Sequence, residues 1–350
     1  MFHRTTARRS PSAHTNPLLL SFALFLLAYT TSVAQKPRIP MEAHRYLAEA
    51  FRIGDALQDS VWAGWSRAPF AVLLITDQYE FLIRHPRATN NFDTLGYDPA
   101  FHSLVLYRKR ILQTNLLATF PAVNGYSTIV VGLPEATNVV DPTHWIVTLL
   151  HEHFHQLQQS QPDYYAATES LAISRGDQSG MWMLNYPFPY DAADVNGRFT
   201  SLCSKLLDAL TAVDSGDFDV KAREYVRSQS EFRSTLRPDD YKYFSLQVWQ
   251  EGIARYTEIR VSQCVARYGS RIRPPIGSPA SYRALSDSLQ SAIIRQLPSL
   301  SLTSMKRSAF YVFGAAEGLL LDRMNPGWHD QYFQQKFYLE KLYGQGGGSR

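Results

Sequence analysis

The five residues His151-Glu152-His153-Phe154-His155, which follow the apolar run at 145–150, constrain this chain more than any other stretch. On an α-helix, residues four apart lie only ~40° from eclipsed, so His151 and His155 leave one face a turn apart and can hold a single ion. Glu152 leaves the helix beside them, where it can take a proton from a metal-bound water without binding the metal. Asp141-Pro142 supplies an N-cap acceptor and a proline at the first helical position, which gives the helix a defined start. Trp145, Ile146, Leu149 and Leu150 make it a buried helix, and imidazoles and a carboxylate inside such a helix need partners. The spacing therefore predicts a zinc (Zn2+) site with His151 and His155 as ligands and Glu152 as general base. His153 leaves the helix away from the ligand face and reads as a supporting or surface residue.

Residues 1–34 read as an export signal. Arg4, Arg8 and Arg9 form a basic start, residues 18–28 are apolar, and Ser32-Val33-Ala34 offers small residues, with cleavage expected after Ala34. An uncleaved membrane anchor is the alternative, although the apolar run is short for a span. Removing these residues takes away three Arg and no acid, so the formal charge falls from +4 to +1. The basic balance then no longer implies nucleic acid, and the mature chain is expected in the periplasm or outside the cell. Cys203 and Cys264 are the only cysteines. In an oxidising compartment they can pair, or they can remain two buried thiols, and without C-x-x-C spacing they do not read as zinc ligands.

The rest of the chain reads as α+β, a single domain over 35–350. Helical period marks 41–58, and short β-branched apolar runs predict strands at 69–75, 79–83, 103–107 and 126–132. This gives an N-terminal α/β lobe at about 41–160 and a helical lobe at about 161–343. The aromatic and Pro-rich segment 180–191 has no period and predicts a loop that either packs across the helices or lines the cleft. Helices are predicted at 199–213, 220–229, 281–296 and 310–322, with a Pro- and Gly-rich loop at 271–279.

Spacing narrows the third ligand. An H-E-x-x-H-x-x-G-x-x-H continuation needs Gly at 158 and His at 161, and both are Gln. Glu169 and Glu251 remain as candidates.

The stretch Gln250-Glu251-Gly252-Ile253-Ala254-Arg255-Tyr256-Thr257-Glu258 resembles the N-E-G-F-A-x-Y-x-E helix of gluzincin metallopeptidases, the group that contains thermolysin and the zinc aminopeptidases. The resemblance implies a zincin-like fold, Glu251 as third zinc ligand and peptide-bond hydrolysis. It covers 141–158 and 249–258 well and the strand at 126–132 loosely. That strand is expected either as a free sheet edge over the site helix, where an extended peptide or protein substrate pairs through its main chain, or as an ordinary interior strand. This chain departs from the best-known gluzincins in placing 95 residues between His155 and Glu251, which requires a helical insertion. Gly252 and Ala254 read as small residues that let this helix approach the His151 helix. Glu258, two turns on, is placed to accept a hydrogen bond from a ligand imidazole, and Tyr256 reads as packing. Tyr311, a polar group on an apolar helix, is the candidate oxyanion donor, with a core tyrosine as the alternative. No G-x-M-E-N motif of the aminopeptidases occurs, which favours an endopeptidase. A zinc-binding protein that holds a peptide partner without turnover is the second expectation.

Overall fold

The computed structural model describes residues 36–87, 90–272 and 276–345. The expected signal segment 1–34 lies outside them. From Pro37 onward the chain forms one unit, and no described helix is long and apolar enough to cross a membrane.

The N-terminal half runs α1 (Met41–Val61), β1 (Val72–Ile75), β2 (Tyr79–Ile83), β3 (Asp93–Asp98), β4 (Ser103–Lys109), β5 (Leu117–Val123), β6 (Tyr126–Gly132) and α2 (Pro142–Ser160). The strands form one sheet of order β3-β4-β2-β1-β6-β5. β1 pairs antiparallel with β2 and parallel with β6, Val72 opposite Ile129 and Leu74 opposite Val131. The period of two sorts these residues between faces. Val72, Leu74, Ile129 and Val131 join the main core under the helices, and Leu73, Ile75 and Val130 form a smaller cluster on the other face. Burial on both faces explains why β1 and residues 129–131 of β6 read as continuous apolar runs.

One expectation is corrected here. Residues 126–132 form a strand, but it lies inside the sheet between β1 and β5. The free edge beside α2 belongs to β5, a strand that its interrupting Pro121 concealed, as Gly96 concealed β3. Proline is tolerated in β5 because an edge strand needs only one ladder of hydrogen bonds, and the pairing shifts register between Phe120 and Val123.

The second half is helical: α3 (Tyr164–Ser170), α4 (Trp182–Asn185), α5 (Ala193–Thr211), α6 (Ser215–Thr235), α7 (Pro238–Gln247), a π-helical turn (Val248–Gly252), α8 (Ile253–Ile272), α9 (Pro279–Gln296), α10 (Leu302–Met305), α11 (Ser308–Met324) and α12 (His329–Tyr332). The segment 180–191 packs across the helices, with Tyr186 stacked on Tyr243 and Phe188 edge-on to Phe310. Cys203 and Cys264 are free thiols, so the disulfide alternative is not realised.

α2 lies at the centre of this arrangement. The Asp141 side chain accepts from the His144 N–H at 2.7 Å and Pro142 occupies the first turn. Fifteen of its nineteen residues are buried, because α1, α8, β5 and β6 surround it. A helix enclosed on this scale can carry polar residues only where each finds a partner.

Gly252 and Gly314 let α11 cross closely over the π-helical turn. A Cβ on Gly252 would fall 2.4 Å from the Gly314 Cα, and one on Gly314 would fall 2.7 Å from both the Gly252 Cα and the Val248 carbonyl oxygen. The small residue at 252 therefore serves close approach to α11, not to the His151 helix as its motif suggests. That crossing brings the first turns of α11 beside the π-helical turn that carries Glu251.

Candidate metal centre

His151, His155 and Glu251 each offer one donor atom, and these atoms all lie within 4.8 Å of one another. The His155 Nε2 to Glu251 Oε2 separation is 3.5 Å, near the roughly 3.3 Å between neighbouring ligands of a tetrahedral zinc. All three side chains are buried.

Each imidazole is oriented by a bond on its far nitrogen. His151 Nδ1 donates to Glu258 Oε1 at 2.8 Å, and His155 Nδ1 donates to Gln158 Oε1 at 2.7 Å. With both Nδ1 atoms occupied, each ring turns Nε2 toward the shared point, in the tautomer a metal requires. Glu258 is itself held by Arg255 Nη1 at 2.6 Å. Burial works to raise the Glu258 pKa, but Arg255 and the bond from His151 prevail and hold it below the ordinary glutamate value.

Gln158 ties His155 to the turn that presents Glu251. Its amide nitrogen donates to the Gln250 carbonyl at 3.1 Å and to the Tyr332 hydroxyl at 2.7 Å, and Tyr332 donates to the Trp249 carbonyl at 2.6 Å. A π-helical turn shifts its backbone bonding by one residue, and these side chains reach the carbonyls of that turn. The glutamine that breaks the G-x-x-H continuation is thus the residue that positions His155.

The electrostatics suit a cation. Burial disfavours a charged His155, yet Glu251 outweighs it and raises the ring to about 9. Burial would likewise raise Glu251, but His155 and Arg307 push its carboxyl far below the usual range. Both shifts show that the Glu251 carboxylate favours positive charge at the His155 side of the group, as a bound cation would supply. Two imidazole nitrogens and one carboxylate are a donor set that can hold a divalent ion, and the same set occurs at catalytic zinc, where water takes the fourth position.

Glu152 is buried beside this group. Thr119 Oγ1, on the edge strand β5, lies 2.8 Å from Glu152 Oε2 and 2.9 Å from its main-chain oxygen. Gln159 Nε2 donates to the Thr119 carbonyl at 3.2 Å, a second tie between β5 and α2.

Tyr311 reaches the site instead of serving as a core tyrosine. Its ring lies nearly parallel to that of His151, centroids 6.3 Å apart, and burial followed by Glu251 raises its hydroxyl well above the ordinary value. Arg307, one turn earlier, places Nη1 3.2 Å from Glu251 Oε1 and its guanidinium over the Tyr311 ring. Sequence reasoning missed Arg307, although its i, i+4 spacing to Tyr311 was available as a signal.

Other candidates fall elsewhere. Glu169 is exposed on α3 and stands outside the donor group. His153 is stacked on Phe70 and bonded to Gln156, and burial lowers its pKa to about 3, which makes it a neutral core residue. Tyr256 packs against Gly318 and donates to Asp322 at 2.7 Å. No known family, curated protein or solved structure matches this chain.

Proposed function

We propose that this protein is a zinc-dependent metallopeptidase with a zincin-like fold, in which His151, His155 and Glu251 hold the ion. The observation that carries this reading is the convergence of three buried donor atoms within 4.8 Å, with Glu152 next to them and a free strand edge alongside. When bound, zinc supplies Lewis acidity and acidifies a coordinated water. Glu152 takes the proton of the attacking water and returns it to the leaving amine, and Thr119 fixes its carboxylate for that exchange. Tyr311 and Arg307 face the same space and supply donors for the negative charge that develops on the substrate oxygen. An extended peptide pairs with β5 instead of with residues 126–132, which favours internal cleavage with modest demands on sequence. The reading includes export, with residues 1–34 removed after Ala34.

The test is metal content and peptide-library cleavage for wild type, Glu251→Ala, Glu169→Ala and Glu152→Gln. We expect one zinc per chain, loss of zinc with Glu251→Ala only, and loss of cleavage with zinc retained in Glu152→Gln. A wild-type chain that takes up no zinc refutes the metal centre. One that holds zinc and cuts nothing points instead to a binding protein that holds a peptide without turnover.

A further inference from the structure

A second site lies away from the donor group, between α8 and α9. A cleft of about 610 Å³ opens there, lined also by Ser60 and Val61 of α1. This is the volume of a small-molecule site. Its walls are two facing helical stripes. Arg260, Gln263, Cys264 and Arg267 fall at i, i+3, i+4 and i+7 on α8, and Arg283, Ser286 and Asp287 fall at i, i+3 and i+4 on α9.

The charge in the cleft is unbalanced. Three guanidinium groups line it against one carboxylate, Asp287. Arg260 is partly engaged, 3.8 Å from Asp322 and 3.4 Å from Gln263. Arg267 and Arg283 have no ion-pair partner among the described residues. Both are exposed, so each keeps its donors available to a ligand.

Ser286 supplies an independent observation. Its residue is 2% exposed, it lines the cleft, and its hydroxyl has no hydrogen-bond partner. A serine inside a helix ordinarily donates to the carbonyl four residues back; this one does not. A buried hydroxyl without a partner, in a cleft where Arg283 has no ion-pair partner among the described residues and Arg267 has only the Tyr268 ring, 5.8 Å away, can be satisfied by a ligand oxygen.

We propose that this cleft binds a small phosphorylated molecule, with Arg267 and Arg283 gripping the phosphate oxygens and Ser286 donating to one of them. Guanidinium forks match the paired oxygens of phosphate, and two of them with a hydroxyl suit its three terminal oxygens. Arg260 completes the positive wall, and its partner Asp322 also receives the Tyr256 hydroxyl from the helix that carries Glu258.

The probe is inorganic phosphate, titrated calorimetrically into the purified full chain at fixed ionic strength, with succinate as a dicarboxylate control. Phosphate should bind at roughly submillimolar Kd, and Arg267→Ala with Arg283→Ala should weaken it by at least about tenfold. Ser286→Ala should weaken it about threefold to tenfold. Both arginines are exposed, so the double variant should keep the wild-type melting temperature, and a lowered one is answered by Arg283→Lys, which retains charge and loses the fork. Absence of phosphate binding up to about 10 mM overturns the proposal. Binding retained in the double variant, as expected of phosphate held at a metal centre, or succinate binding as tight as phosphate, also overturns it.

Discussion

Glu258 offers the sharpest test of how the metal centre is positioned. Its carboxylate is 3% exposed, with Oε1 on His151 Nδ1 at 2.8 Å and Oε2 on Arg255 Nη1 at 2.6 Å. Replacing Glu258 by Ala leaves the His151 N–H without its charged acceptor and frees the ring to turn. A hydrogen bond to a charged group contributes ~1.5–3 kcal/mol, and loss of an outer-shell partner lowers metal affinity by ~10–100-fold, equivalent to ~1.4–2.8 kcal/mol. The two routes agree because both count the same orienting bond. Arg255 adds little to the loss, since its side chain is 29% exposed and can return to water. Glu258→Gln should be milder. An amide has one oxygen for two donors, and if it faces His151 the displaced Arg255 moves outward, leaving a loss nearer tenfold. Zinc affinity measured by competition with a chromophoric chelator, with melting curves of the metal-free proteins as a control for folding, decides the matter. A Glu258→Ala protein that melts normally and binds zinc within about threefold of wild type refutes the view that Glu258 orients His151.

Glu317 provides a prediction independent of metal. Burial raises its carboxyl to about 8, against donors from Tyr225, Gln229 and Tyr343. The unfolded chain releases this proton above about pH 4.3 and the folded chain keeps it to about 8, so stability falls with rising pH across that window, by at most ~1.4 kcal/mol per pH unit. Glu317→Gln lacks this loss, and its stability relative to wild type should improve by roughly 3 kcal/mol between about pH 5 and 8 in urea unfolding; a constant gap contradicts the assignment. Gly314→Ala places a Cβ 2.7 Å from the Gly252 Cα and the Val248 oxygen, backbone atoms that must shift, so we expect a loss of ~1–3 kcal/mol together with weaker zinc binding. An unchanged melting temperature rules out that close crossing. Tyr311→Phe should retain zinc and lower kcat about 100-fold or more, and unaltered turnover removes Tyr311 from the reaction.

Residues close in sequence determined a great deal by themselves. The i, i+4 pair His151 and His155, the adjacent Glu152 and the Asp141-Pro142 cap define a polar face on a buried helix, and helix geometry fixes their relation without knowledge of the fold. The β-branched apolar run in 126–132 similarly identified a strand. It left the neighbours open, because a strand with both faces buried reads the same whether or not its outer edge is paired, and only the sheet order gave the free edge to β5. Glu169 and Glu251 were both open by spacing; the packing of α8 on α2, with α11 against the π-helical turn, brought one to the imidazoles and left the other in solvent. Thr119, Gln158 and Arg307 became site residues for the same reason. Their contacts depend on which surfaces meet across the core, and that is settled by the packing of the whole chain, not by the local period that shapes each helix and strand.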